Sequence, residues 1–340
     1  MSDVLAVHRH TTRRTAVVTA VLSVAVLAVF LLALSVGDFP IAPPEVVRTL
    51  LGGGTVRDDY IVLRLRLPRA LAGLFVGLAF GLSGALFQRL LRNPLASPDV
   101  IGVTAGSSLA AVLCLITFGV TGAVVPAAAL AGGLATAVLI YVLSWRRGVT
   151  GYRLVLVGIG VAALAASAMS YFLTRADVRI AAQALVWITG SFARVGWTEV
   201  RMAGLFLVVL VPAALLLGRT LSVLQLGDDA AKALGVRVER VRLALLALAA
   251  ALCGVATSVG GPIAFVAFLS GPISARVLRT GRPGLVPAAL VGALITLLAD
   301  FAAQHLLSGA FPLPVGVVTG AVGAPYLLYL LATTTRGAAA

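Results

Sequence analysis

Charged and apolar positions fall in long separate blocks along this chain. Uncharged runs of the ~17–25 residues that cross a bilayer as helix recur from one end to the other. The first covers residues 16–36, behind Arg9, Arg13 and Arg14, and the second 70–88. The first could imitate a signal peptide, but its length and the spans that follow read as a retained helix. No charge occurs between Asp99 and Arg146, which leaves room for a third and fourth helix with a hairpin near Gly119 and Gly122. Residues 154–174 form the fifth and 202–218 the sixth. The run 243–275 is too long for one span. Gly260-Gly261-Pro262 breaks it, because Gly and Pro interrupt helices, into a long seventh and a short eighth. Residues 283–299 make most of the ninth. The run 301–335 breaks at Pro312-Leu313-Pro314, and the tenth follows.

The expected fold is therefore an all-α polytopic membrane protein of about ten transmembrane helices. A tail (1–15) precedes one transmembrane domain (16–335), and a short tail (336–340) follows it. Composition agrees. Of 340 residues, 60% are hydrophobic and 11% charged, whereas a soluble domain is about half apolar and a quarter charged. The 36 glycines suit closely packed membrane helices.

The net charge of +14 would suggest nucleic acid in a soluble chain. Here it reads as basic loops against an anionic membrane, with lipids rather than nucleic acid as partners. Ten helices bring both termini to one side. That side collects 17 of the Lys and Arg residues and the other side 9, which accounts for all 26. The positive-inside rule then places both termini in the cytoplasm of a plasma (inner) membrane.

Catalytic chemistry is hard to find. Cys114 and Cys253 lie in apolar runs, and His8, His10 and His305 form no HExxH pair, so neither a disulfide framework nor a metal site is read. The lone lysine, Lys232, lacks the glycine run of a P-loop. The chain implies no cofactor and no nucleotide site of its own. Asp300 is the one acid read as lying in a span, close to the outer interface. A buried acid there is a functional candidate, and an ion-coupled secondary transporter would need it as a proton relay. The alternative is hydrogen bonding at a helix end.

Four features carry the remaining signal. Gly73, Gly77 and Gly81 are spaced by four on the second helix, and Gly316 and Gly320 repeat the step on the tenth. Small residues at that spacing let helices approach closely. The loop 219–242 contains LGDDAAKALGV: Asp228 and Asp229 favour the positive end of a short helix, and Gly235 is placed to close it. That helix is either a solvated connector or a docking element. Residues 43–51 read as a short external helix with Pro near its start. Arg64, Arg66 and Arg69 cluster before the second span, as a lipid-facing rim or a seat for an acidic partner.

Five blocks in order resemble the FecCD-type permeases, membrane subunits of binding-protein-dependent, ATP-driven importers of ferric siderophores, haem and cobalamin. They are RLPRALAGLFVGLAFGLSGALFQRLLRNPLASPDVIGVTAGSSLA (66–110), ALVWITGSFARVGW (184–197), LGDDAAKALGV (226–236), GGPIAFVAF (260–268) and LPVGVVTGAVGAPYLLYLL (313–331). The resemblance implies a bundle like the cobalamin-importer permease, working as a pseudo-symmetric pair. Two ATP-binding subunits would lie beneath it and an extracytoplasmic substrate-binding protein above. It implies an ATPase-coupling role for Leu226, Gly227, Asp228, Asp229, Ala230, Lys232, Leu234 and Gly235. It gives Arg66 and Arg69 the docking of the binding protein, and the fifth helix with residues 174–190 the substrate path. Two positions depart from the family pattern. Gln304 stands where an arginine is usual, and Gly271-Pro272 where Pro-His is. Such departures suggest pairing with a different second permease. A ferric siderophore is the expected cargo.

Overall fold

The computed structural model describes residues 2–146, 150–279, 281–306 and 313–337; side chains are described from residue 11, and beyond 330 only at 332. His8, His10, Pro312 of the expected tenth-helix break and most of the C-terminal tail lie outside that description. The described residues are helical throughout, with no strand. The order is α1 (Ser2–Ser35), α2 (Pro43–Leu50), α3 (Val56–Asp59), a π-helical turn (Tyr60–Arg66), α4 (Leu67–Leu91), α5 (Pro98–Ile101), α6 (Val103–Ile116), α7 (Val124–Ser144) and α8 (Gly151–Arg175). Then come α9 (Val178–Thr189), α10 (Trp197–Leu224), α11 (Asp228–Ala233), α12 (Val238–Gly260), α13 (Val266–Leu278), α14 (Leu285–His305) and α15 (Val315–Gly337).

Seven helical stretches are long and apolar enough to cross a membrane, and α6, α9, α13 and α15 are shorter apolar segments. The seven with α6, α13 and α15 fall at the ten places expected from the sequence, and α9 is a further apolar segment. The third is shorter than expected because Gly102, in left-handed conformation, separates α5 from α6. The long run splits where Gly260-Gly261-Pro262 predicts. Gly261 takes φ +72°, which a side chain rarely adopts, and α13 resumes only at Val266. Helix also begins earlier than expected at two places. No Gly or Pro interrupts residues 2–35, so α1 runs through the expected tail. The second helical stretch starts at Val56 rather than near residue 70.

That second stretch contains Pro68, which cannot donate a backbone hydrogen bond and crowds the carbonyl four residues back. A π turn just before it relieves the conflict. Leu67 N–H donates to Val62 O instead of Leu63 O. Pro68 has no N–H to offer Leu63 O in the π register. The freed carbonyl accepts from the Trp197 indole at 3.0 Å, pinning the start of α10 to the head of α4.

The core centres on α4, α12 and α14. Gly77 and Gly292 face each other, and a Cβ on either would strike backbone of the opposite helix. Gly81 meets the Ala288 carbonyl, and Gly73 meets Leu297. Gly84, off the four-residue step, packs on Ala267 of α13 instead. Gly316 abuts the Thr189 carbonyl, but at Gly320 an added Cβ would find no neighbour within 4 Å among the described residues. The packing expected for Gly320 is thus not seen among the described residues, where its face of α15 is open.

Candidate functional site

The bundle has two ends with different chemistry. One end, here called the terminal end, gathers the start of α1 and the ends of α4, α10 and α13. Arg14 donates to Val277 O at 3.1 Å, Arg89 to Ser222 Oγ at 2.8 Å and Arg92 to Leu224 O at 2.6 Å. Arginines near helix C-termini satisfy carbonyls left without partners in the last turn. These residues all belong to the side that the charge count marks as the more basic.

From this end projects α11. Gly227, at φ +113°, turns the chain out of α10. Asp228 and Asp229 then occupy the first turn, and Gly235 closes the last at φ +81°. Gly235 N–H donates to Lys232 O at 2.9 Å and Val236 N–H to Ala231 O at 3.0 Å, the paired bonds of a Schellman cap. A β-branched residue at 235 would oppose that left-handed geometry. Six residues cannot hold a helix by propensity alone, so the helix is also clamped from outside. Arg242 of α12 donates to both carboxylate oxygens of Asp228 at 3.0 Å, and to Glu239 at 3.0 Å. Buried Ala231 anchors the inner face. Lys232 pairs only loosely with Asp229, at 3.7 Å. Leu226 and Leu234 flank the helix with 64% of their surface exposed. The helix is thus capped and clamped, with two leucines beside it in the open. Beside it lies a cavity of about 540 Å³ that includes Arg89, Arg146, Lys232 and Glu239. Arg242 was legible in the sequence only as one more charge; its reach back to Asp228 depends on the fold.

At the far end the arginines turn inward. Arg66 Nη1 donates to Leu34 O at 2.8 Å and Ser35 O at 3.2 Å, and Nη2 to Phe39 O at 2.7 Å. It thereby caps the end of α1. Arg69 makes a two-pronged bond to Asp300, Nε to Oδ2 at 3.0 Å and Nη2 to Oδ1 at 2.8 Å. Gln304 adds a donor to Asp300 at 2.8 Å. The expectation that Arg66 and Arg69 form an exposed cationic cluster is thus corrected. Both are largely committed to this chain's own acceptors, and Arg64 is the exposed member of the three. Asp300, a relay candidate on sequence grounds, is buried and ion-paired. These groups rim a cavity of about 860 Å³ that also includes Asp38, Arg57 and His305.

Residues 174–190, expected as an external loop or gate, contain the 12-residue helix α9. Its end is pinned at one junction. Gly190 O accepts from Gly316 N–H at 3.2 Å, Ser191 N–H donates to Gly260 O at 2.8 Å, and Gly261 sits against the Trp187 carbonyl. The break between α12 and α13, the end of α9 and the start of α15 therefore meet at a point. Gln88 was not singled out by sequence reasoning. It is buried, donates to Phe268 O at 2.9 Å, and fills the space against Gly271 where any side chain would collide. That gives Gly271 a physical reason.

Known proteins share this architecture. A model of the FecCD transport family matches residues 25–333. The ferric enterobactin transport system permease protein FepG of Escherichia coli strain K12 is 38% identical over 300 residues, 88% of this chain and 91% of that one. The achromobactin transport system permease protein CbrC of Dickeya dadantii strain 3937 is 40% identical over 309 residues, covering 90% and 88%. A chain from an inward-facing metal-chelate type ABC transporter superposes with a TM-score of 0.83 at 25% identity, over 93% of this chain and 98% of that one. PsaBC of Streptococcus pneumoniae, solved with a Fab, shares the fold at a TM-score of 0.53 and 16% identity, over 77% and 89%. The class is that of the polytopic membrane permease of an ABC transporter, a subunit without a nucleotide-binding domain of its own. Within it, the chain belongs to the FecCD transport family.

Proposed function

We propose that this permease imports a ferric siderophore by alternating access, driven by two ATP-binding subunits seated on the terminal end and loaded by a substrate-binding protein at the far end. The relatives named for ferric enterobactin and achromobactin support the cargo. The observation that carries the mechanism is α11, a capped helix clamped by Arg242, with Leu226 and Leu234 exposed beside it. On this reading Leu226, Gly227, Asp228, Asp229, Ala230, Lys232, Leu234 and Gly235 form the coupling element. Leu226 and Leu234 enter a cleft of the ATPase, Lys232 and Asp229 meet its polar rim, and Gly227 and Gly235 hold the helix angle. Closure of the ATPases would move α11, and through the Asp228–Arg242 tie the movement would pass into α12.

The far end would receive the binding protein. Arg66 and Arg69 fix the shape of that collar, and exposed Arg64 and Arg57 offer it charge. Substrate would descend past α8 and α9, between this chain and a second permease. The open face at Gly320 and the exposed apolar side chains of α8, Leu156, Ile159 and Leu164 among them, support a partner there. Gln304 and Gly271-Pro272 favour a different permease over a second copy. The terminal end, with the larger share of basic residues, faces the cytoplasm. Residues 16–335 act as one domain, with residues 1–15 and 336–340 as cytoplasmic tails.

Two experiments test this. Affinity purification of the tagged chain from its native membrane should recover an ATPase and a second permease. A chain that is stable alone and lacks nucleotide-dependent activity would instead favour an ion-coupled transporter. Gly235→Val should leave the complex able to hydrolyse ATP while uptake falls by an order of magnitude or more. Normal uptake in that variant would remove α11 from the coupling path.

A further inference from the structure

A second cavity on the terminal end, of about 290 Å³, lies between the end of α4, the end of α10 and the α13–α14 connection. Its walls carry three guanidinium groups, Arg89, Arg92 and Arg282, and no Asp or Glu among the described lining residues. Three hydrogen bonds run from them to neutral groups. Arg89 donates to Ser222 Oγ, Arg92 to Leu224 O, and Arg282 to Gln225 Oε1 at 3.2 Å. Arg282 is near enough for its charge to act on Arg89. Arg89 Nε is buried with no hydrogen-bond partner. A buried N–H without an acceptor is costly, more so when charged. Like charges gathered at one place repel.

A group that fits must bring negative charge and several acceptor oxygens that can be reached from different directions. Phosphate does so, and guanidinium forks match its oxygens. Gln88, 4% exposed, backs the same cavity, its Oε1 packed against Gly271 and its Nε2 bonded to Phe268 O. The cavity sits where long apolar helices end in arginines, the level at which the headgroups of a bilayer lie. Basic pockets at that level between membrane helices take anionic headgroups.

We infer that this cavity binds the phosphate of an anionic phospholipid headgroup, with phosphatidylglycerol as the probe. Gln225 ties the site to the coupling loop: it accepts from Arg282 and donates to Arg89 O at 3.4 Å, one residue before Leu226. A bound headgroup therefore braces the root of α11. The inference rests on the geometry of this chain and does not depend on the cargo or on ATPase partners.

The test uses the full chain in uncharged detergent, with or without whatever subunits co-purify. Titration with phosphatidylglycerol should raise its melting temperature saturably, and native mass spectrometry should find that lipid retained. Phosphatidylcholine should do neither. Arg89→Gln and Arg282→Gln should each weaken the apparent affinity about tenfold or more. Arg237→Gln, an exposed cation of the α11–α12 connection outside the cavity lining, should not. Should Arg89→Gln fail to fold, Arg282→Gln, in the connection before α14, carries the test. A wild-type shift equalled in Arg282→Gln would overturn the site, since the lipid would then act elsewhere. A shift produced by inorganic phosphate alone and not by phosphatidylglycerol would overturn the lipid assignment. No shift with either would overturn the proposal entirely.

Discussion

At the far end Arg66 and Arg69 fold back onto carbonyls of α1 and onto Asp300. At the terminal end Arg242 also folds back, onto Asp228 and Glu239, yet there its effect is to hold two leucines out in the open. The same side chain works as cement in both places. What differs is what the cement supports, a closed collar in one case and a projecting helix in the other. Charge count along the sequence cannot tell these apart, because the fold decides which acceptor each guanidinium meets: Asp300 is 231 residues from Arg69, whereas Glu239 is 3 from Arg242.

The contrast can be broken in graded steps. Arg69→Ala leaves the buried Asp300 carboxylate with Gln304 as its remaining side-chain donor. Removing one member of a buried pair costs about 3–5 kcal/mol, so a large drop in melting temperature is expected by intrinsic fluorescence in detergent. Arg69→Met combined with Asp300→Leu should recover most of it. An unchanged Arg69→Ala variant would make the collar pair a surface contact. The opposite pattern is expected at α11. Leu226→Asp with Leu234→Asp should leave melting unaltered, because both side chains are exposed, while recovery of an ATPase in pull-downs falls tenfold or more. Destabilisation by that pair would mean that the leucines pack inward and present nothing.

A smaller effect belongs to Asp99, in α5 between the second and third spans. Burial pushes its carboxyl up to about 6, against an opposing hydrogen bond with Thr104. The unfolded chain loses this proton near pH 4 and the folded chain only near 6. Stability from this group is therefore lost as pH rises through that window, and ionised Asp99 costs about 1–3 kcal/mol at pH 7.5. Asp99→Asn should melt higher than the wild type at pH 7.5 and equally at pH 4, by the same fluorescence assay. The smallest effect is expected for Trp197→Phe. It deprives Leu63 O of its donor, costs about 1 kcal/mol, and should leave transport unchanged; a strong transport defect would make that bond part of the moving machinery.

The spans were legible because a bilayer imposes a length on uncharged helix, and the hairpin at Gly119 and Gly122 and the break at Gly260-Gly261-Pro262 are written in residues with few other uses. α11 was legible for a similar reason, since caps are local: Asp228 and Gly235 act on their own turn. What could not be read was pairing across the bundle. Arg69 next to Arg64 and Arg66 looks like a surface cluster until α14 brings Asp300 against it. Gly77 and Gly81 announce a close approach without naming α14 as the neighbour. The early start of the second helix was hidden for another reason. The span was bounded by charge, after Arg69, while the helix runs back through Arg66 and Arg64, and the π turn lets it pass Pro68.

That turn gives the collar a setting of its own. A π turn holds one residue more than an α-helix would use over the same length, and each residue of α-helix turns by about 100°. Deleting one residue within Tyr60–Arg66 would restore regular winding and rotate the helical segment just ahead of it, α3 with Arg57, by about that angle against an unchanged α4. Among edits to this chain, a single-codon deletion could thus re-aim that segment of the far-end surface as one piece, and a change of docking partner could begin there without touching a side chain of the bundle.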